Sequence, residues 1–151
     1  MSGNNLEVWK DIPGFEEKYQ VSTMGRVRSL PRETSVTNFN GTTFTVKKDG
    51  AMLTPQKDKC GYVHVRLVKD GRYVLYKVHQ LVGLVFLGYN RKNIEGLVLD
   101  HVNGIKSDNR LENLEIVTKK ENSQRYWRSI KSEITRQRMR KPKNKKKNSL
   151  I

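Results

Sequence analysis

Between Leu97 and Glu121 the chain carries four structural signals in a fixed order, and they restrict its fold more than any other part. Leu97-Val98-Leu99 is an apolar run that leads into Asp100-His101, and the turn formers Asn103-Gly104 and Asp108-Asn109 follow it. A second β-rich run, Leu114-Glu115-Ile116-Val117, comes next. Thr118 and Glu121 then have the spacing of a capping box, in which each residue satisfies the other's free backbone N–H and starts a helix at Lys119. The pattern predicts strand, loop, strand, helix. Such a unit brings the end of its first strand and the first turn of its helix to one place.

The preceding segments read less sharply. Trp9, Ile12, Phe15, Tyr19 and Val21 are apolar among charges, Pro13-Gly14 marks a turn, and two short strands around Gly25 fit residues 7–30. Residues 31–50 are polar and read as a variable loop, with Thr43–Val46 the only strand-like part. Residues 62–67 and 73–78 are β-rich runs joined through Asp70-Gly71, a pair suited to the positive φ angles of a tight hairpin. Leu81, Val82, Val85 and Phe86 recur at helical spacing, which predicts an amphipathic helix from His79 to Leu87 ended near Gly88. Beyond Thr118, Tyr126, Trp127, Ile130 and Ile134 can form one apolar helix face, and Pro142 should end that helix before a basic tail.

Length allows one ordinary domain or two small modules. The net charge is +15, and residues 119–151, with 13 Lys/Arg against 2 Asp/Glu, supply +11 of it. Such a block repels itself unless a polyanion neutralises it, and nucleic acid does so while releasing condensed counterions. A solvated tail, or one that meets anionic lipid, would show the same composition. Cys60 is the only cysteine, which excludes an intrachain disulfide and a cysteine-rich zinc site. No apolar run approaches the roughly 20 residues of a membrane span. A soluble protein in a reducing compartment is expected.

Hydrolysing a phosphodiester needs a base for water, a cation at the phosphate, and groups that fix both. Asp100 offers a hard oxygen suited to Mg²⁺ or Mn²⁺, and the His101 imidazole can accept a proton around neutral pH. Asn122, one turn into the helix, can reach back to the same metal. Asn113, just before the second strand, is placed to bond the far ring nitrogen of His101 and fix its tautomer. Each residue alone has an ordinary explanation as a turn, cap or surface residue. Together they make a site.

Leu99-Asp100-His101-Val102-Asn103-Gly104, Ser107-Asp108-Asn109-Arg110-Leu111-Glu112-Asn113-Leu114, Val117-Thr118 and Glu121-Asn122 resemble the motif of the HNH endonucleases. The similarity is greatest to the HNN variety in phage and intron-encoded homing enzymes, where Asn replaces the last His. Trp9-Lys10-Asp11-Ile12-Pro13-Gly14-Phe15, Tyr19-Gln20-Val21-Ser22 and Gly25-Arg26-Val27-Arg28-Ser29 resemble a short module that commonly precedes that domain. The resemblance implies an α+β chain with a ββα-metal (His-Me finger) core, His101 as general base, Asp100 and Asn122 as metal ligands and Asn113 as the orienting residue. It implies one divalent ion per site, and the neutral amide of Asn122 favours Mg²⁺ or Mn²⁺ over Zn²⁺. The products would be 5′-phosphate and 3′-hydroxyl ends.

On this reading residues 1–50 are a small β-rich module and loop, 51–128 the nuclease domain, and 129–151 a basic helical extension and tail. Double-stranded DNA is the expected partner, at the DNA in the cytoplasm of a bacterial or phage-infected cell. No small-molecule cofactor is expected, and a monomer with one site should nick one strand. Lys119, Lys120, Arg125 and Arg128 lie near the centre and are candidates for phosphate contacts, while Arg26 and Arg28 share one strand face. His79, at the hairpin-to-helix junction, reads as a structural residue, and His64 is not assigned. The competing reading is a DNA- or RNA-binding protein that keeps the fold without catalysis.

Overall fold

The computed structural model describes residues 6–92 and 94–140. The N-terminal part is more strand-rich than its sequence suggests. β1 (Trp9–Asp11), β2 (Tyr19–Ser22) and β3 (Val27–Ser29) are joined as an antiparallel sheet. Between β3 and the strand that completes this sheet, the polar segment forms a hairpin of β4 (Arg32–Thr37) and β5 (Thr43–Lys48). It is not a loop. β5 contains the strand-like Thr43–Val46, whereas β4 (Arg32-Glu33-Thr34-Ser35-Val36-Thr37) is largely exposed and has no apolar alternation for a sequence reading to detect. β6 (Ala51–Met52) then pairs with β3, giving the order β1-β2-β3-β6.

β7 (Gln56–Lys57), β8 (Val63–Lys69) and β9 (Arg72–Lys77) make the second sheet. Asp70 and Gly71 connect β8 to β9 with φ angles of 50° and 73°, the two positive values that a type I′ turn requires. α1 (Val78–Leu87) follows without a break and ends at Gly88, which is left-handed at φ 66°. Gly83 of α1 lies so close to Leu99 that a Cβ there would be 2.5 Å from Leu99 Cδ2. The missing side chain is what lets the next strand lie against α1.

One cluster of buried residues runs through both parts of the chain. Ile12, Phe15, Tyr19, Val21 and Val27 pack with Val65, Leu67, Val78, Leu81, Val82 and Leu114. Each buried aliphatic side chain is worth roughly 1.5–3 kcal/mol, so the N-terminal sheet and α1 stabilise each other.

The predicted strand–loop–strand–helix unit is present. β10 (Leu97–His101) and β11 (Leu114–Thr118) pair antiparallel with Asp100 opposite Glu115 and His101 opposite Leu114. α2 (Lys119–Arg140) starts on the capping box: the Glu121 carboxylate accepts from the Thr118 N–H at 2.9 Å, and the Glu121 N–H donates to Thr118 Oγ1 at 3.1 Å. No residue of α2 is buried, and Tyr126, Trp127 and Ile134 are exposed. The helix outruns its support, because 22 residues extend about 33 Å while a five-residue strand extends about 17 Å. The expectation for Pro142 and the tail lies outside the described residues.

Candidate active site

His101 is the last residue of β10 and is 6% exposed. Its Nε2 lies 2.9 Å from Oδ1 of Asn109, itself buried. An amide oxygen can only accept, so Nε2 carries the ring hydrogen and the lone pair of the neutral imidazole is on Nδ1. This is the arrangement a general base needs.

The orienting bond expected from Asn113 is not formed. Asn113 is turned into the loop, where Oδ1 accepts from the Asn103 N–H at 3.0 Å and Nδ2 donates to Asn103 Oδ1 at 2.9 Å and to the Asp108 carbonyl at 2.8 Å. Asn103 in turn donates to Asp108 Oδ2 at 2.8 Å. Asn113 therefore staples both ends of the loop together, and Asn109 holds His101. The guanidinium of Arg110, followed by the Asn103 amide, pulls the Asp108 carboxyl down to about 2. That carboxylate stays charged and keeps the loop closed.

Asn109 is held from the N-terminal sheet. The Leu111 N–H donates to the Thr23 carbonyl at 2.8 Å, so the β2–β3 turn reaches the segment just after Asn109. Gly25, at φ 75° in that turn, lies against the Asn109 backbone, and a Cβ at Gly25 would be 2.8 Å from the Asn109 carbonyl carbon and oxygen. Only glycine fits this contact without displacement. Asn109 could not be chosen over Asn113 from sequence, because the choice depends on this remote contact.

Asp100 is partly buried, with its side chain 22% exposed. Oδ1 accepts from the His101 backbone N–H at 2.9 Å, and Oδ2 is 3.3 Å from Nη1 of Arg125. Arg125 also donates to Glu115 Oε2 at 2.9 Å. The Glu115 carboxylate, more than Asp100, raises the Arg125 pKa above its ordinary value. Asn122 is half-buried one helical turn before Arg125, and residues three apart share a helix face. The helix therefore carries Asn122 on the face from which Arg125 reaches Asp100. Among the described residues no three His, Cys, Asp or Glu side chains group to hold a metal. Asp100 and Asn122 could offer a cation one carboxylate and one amide oxygen, both hard donors.

Lys120 and Arg128 line one recess on α2 with Ser123, Gln124, Trp127 and Lys131, and Lys119 is exposed at the helix start. Arg28 lies in β3 and Arg26 just before it, not on one strand as expected, yet their guanidinium carbons lie 4.1 and 5.7 Å from the same Trp9 ring centroid. Both are engaged, Arg26 in an ion pair with Glu7 and Arg28 with Gln20 Oε1 at 2.7 Å. His64 lies 3.7 Å from Asp58. His79 is closer to the centre than its sequence position suggested. It is buried with its ring centroid 5.0 Å from that of His101 and 5.3 Å from that of Tyr62. The signal for this was Gly83, four residues on, which sets α1 against β10.

A short strand pair closed by a capped helix, with a buried, oriented histidine beside an aspartate, defines an HNH nuclease fold within an α+β chain. Residues 7–68 match the NUMOD4 motif and residues 76–124 match the HNH endonuclease family. The chain carries a NUMOD4 motif followed by an HNH endonuclease domain. It is 39% identical over 115 residues to DNA endonuclease I-HmuI of Bacillus phage SP01, covering 76% of this chain and 54% of that protein. It is 37% identical over 121 residues to an uncharacterised HNH endonuclease of Acanthamoeba polyphaga mimivirus, covering 78% of this chain and 25% of that one. The chain thus spans about half or less of these relatives. A solved structure describing DNA binding and cleavage by the HNH homing endonuclease I-HmuI superposes with a TM-score of 0.59 at 34% identity, covering 85% of this chain and 66% of the other.

Proposed function

We propose that this chain is a divalent-metal-dependent DNA endonuclease of the homing type that nicks one strand of double-stranded DNA. The observation that carries the reading is the pair of His101 and Asn109, which leaves Nδ1 of a buried imidazole as a free acceptor next to a partly buried carboxylate. His101 takes a proton from the attacking water through Nδ1, and the Asn109 oxygen stabilises the imidazolium by holding its Nε2–H. Asp100 and Asn122 would hold one Mg²⁺ or Mn²⁺, which neutralises charge on the scissile phosphate and the leaving oxygen. Arg125 already donates to Glu115, so it would keep a partner if Asp100 held a cation. Asn113 supports this site by closing the loop and does not touch the base.

Lys119, Lys120, Arg125 and Arg128, on the helix that leaves the site, would make phosphate contacts, with Arg26 and Arg28 as a second surface on the N-terminal sheet. The test is conversion of supercoiled plasmid to open circles with Mg²⁺ or Mn²⁺. The reading predicts metal-dependent nicks with 5′-phosphate and 3′-hydroxyl ends, abolished by a chelator. DNA binding with no cleavage under either metal would favour a protein that keeps the fold and binds only.

A further inference from the structure

His79 has a chemical peculiarity that packing alone does not explain. Its Nδ1 is buried and has no hydrogen-bond partner among the described residues, the only such side-chain atom found there. An unmet buried polar atom is unfavourable, and a phenylalanine or leucine would fill the same space without it. The ring packs against two others. Tyr62 lies at 5.3 Å and 30° and His101 at 5.0 Å and 59°, with Tyr62 and His101 6.3 Å from each other so that the three rings form a triangle, and the Tyr62 ring is faced by Lys77 and Lys106 at 4.3 and 4.7 Å. Lys106 is itself fixed, donating to the Cys60 carbonyl at 3.1 Å. The triangle of Tyr62, His79 and His101 is thus anchored at Tyr62 and includes the ring that Asn109 grips.

We propose that His79 is a positioning residue: its imidazole, packed against both Tyr62 and His101, holds the His101 ring in the orientation in which Nε2 meets Asn109 and Nδ1 is left free. One hydrogen bond fixes the position of Nε2 but leaves the ring free to swing about that bond. Tilted rings packed against it, His79 at 5.0 Å and Tyr62 at 6.3 Å, restrict that freedom. His79 does not compete for the proton, because burial, with a smaller effect from the charge of a protonated His101, lowers its pKa to about 3. The other cationic groups facing it, Lys77 and His64, push the same way, and no carboxylate opposes them among the causes of the shift.

The inference rests on His101 being the base, and the test separates the two. In the full chain, His79→Leu removes the flat ring and the unmet nitrogen together, so the protein should stay folded with an unchanged or higher Tm. Its kcat for plasmid nicking should fall about tenfold or more with KM for DNA unchanged. The ¹⁵N imidazole spectrum of His101 should change from a single Nε2–H tautomer to an averaged one. His79→Phe, which restores a ring, should return kcat to within about threefold of wild type and restore the tautomer. A folded His79→Leu with wild-type kcat and an unchanged His101 spectrum would reduce His79 to core filler. A His79→Phe as inactive as His101→Ala, with the His101 spectrum intact, would give His79 chemistry of its own and overturn positioning. Full activity in His101→Ala would instead remove the base assignment on which the inference stands.

Discussion

Asn109→Ala removes the acceptor 2.9 Å from His101 Nε2 and leaves a buried N–H with no partner. Leaving such a donor unmet costs about 1–3 kcal/mol. The ring escapes this by moving its hydrogen to Nδ1 or by rotating, and either change removes the lone pair that accepts the proton. If that whole difference falls on the reactive orientation, kcat drops by about 5- to 150-fold, since about 1.4 kcal/mol is a factor of ten. DNA affinity should not change, because Asn109 is buried and meets no solvent-facing surface. Single-turnover nicking at saturating DNA measures the rate, and a filter or gel-shift titration measures the affinity. Asn113→Ala is the control, because it cuts the Asn103 and Asp108 staples and should lower Tm along with activity. Wild-type cleavage by a folded Asn109→Ala, beside an inactive His101→Ala, would refute the argument that Asn109 holds the base.

Gly25→Ala places a Cβ 2.8 Å from the Asn109 backbone at a φ of 75°, so it should cost at least about 1 kcal/mol, seen as a lower Tm, and should slow nicking through Asn109. Asp108 has its carboxyl lowered from 3.8 to about 2 by Arg110, so its contribution to stability is complete above pH 3.8 and disappears as pH falls toward 2. Asp108→Asn should therefore lower Tm at pH 7 and match wild type near pH 2, checked by thermal melts across that range. Arg128→Ala or Lys120→Ala should weaken binding to all DNA sequences alike and reduce the slope of log K against log salt by about one, measured by fluorescence anisotropy.

The elements legible in the sequence were those whose chemistry is local. Asp70-Gly71 specifies its hairpin, and Thr118 with Glu121 specifies the start of α2, because both signals act within four residues. Of the hairpin of residues 32–48 only Thr43–Val46 reads as a strand, since β4 is polar and largely exposed, and β1 and β6 are not legible because two or three residues carry no period. The sequence placed Asp100, His101 and the first turn of α2 at one site, since strand, loop and helix lengths decide that. The identity of the residue bonded to His101 was not legible. Asn109 and Asn113 both lie between the two strands, and the turn from Thr23 to Gly25, far off in sequence, selects Asn109. From sequence His79 reads as structural for a related reason, as only the approach of α1 to β10 shows what its ring touches.

The measurement that bears most directly on the site is His101→Ala beside wild type, with DNA binding and plasmid nicking followed in the same Mg²⁺ or Mn²⁺ buffer. The account predicts equal affinity for DNA, conversion of supercoiled plasmid to open circles by wild type, and no conversion by the variant. Nicking by His101→Ala at the wild-type rate would contradict it.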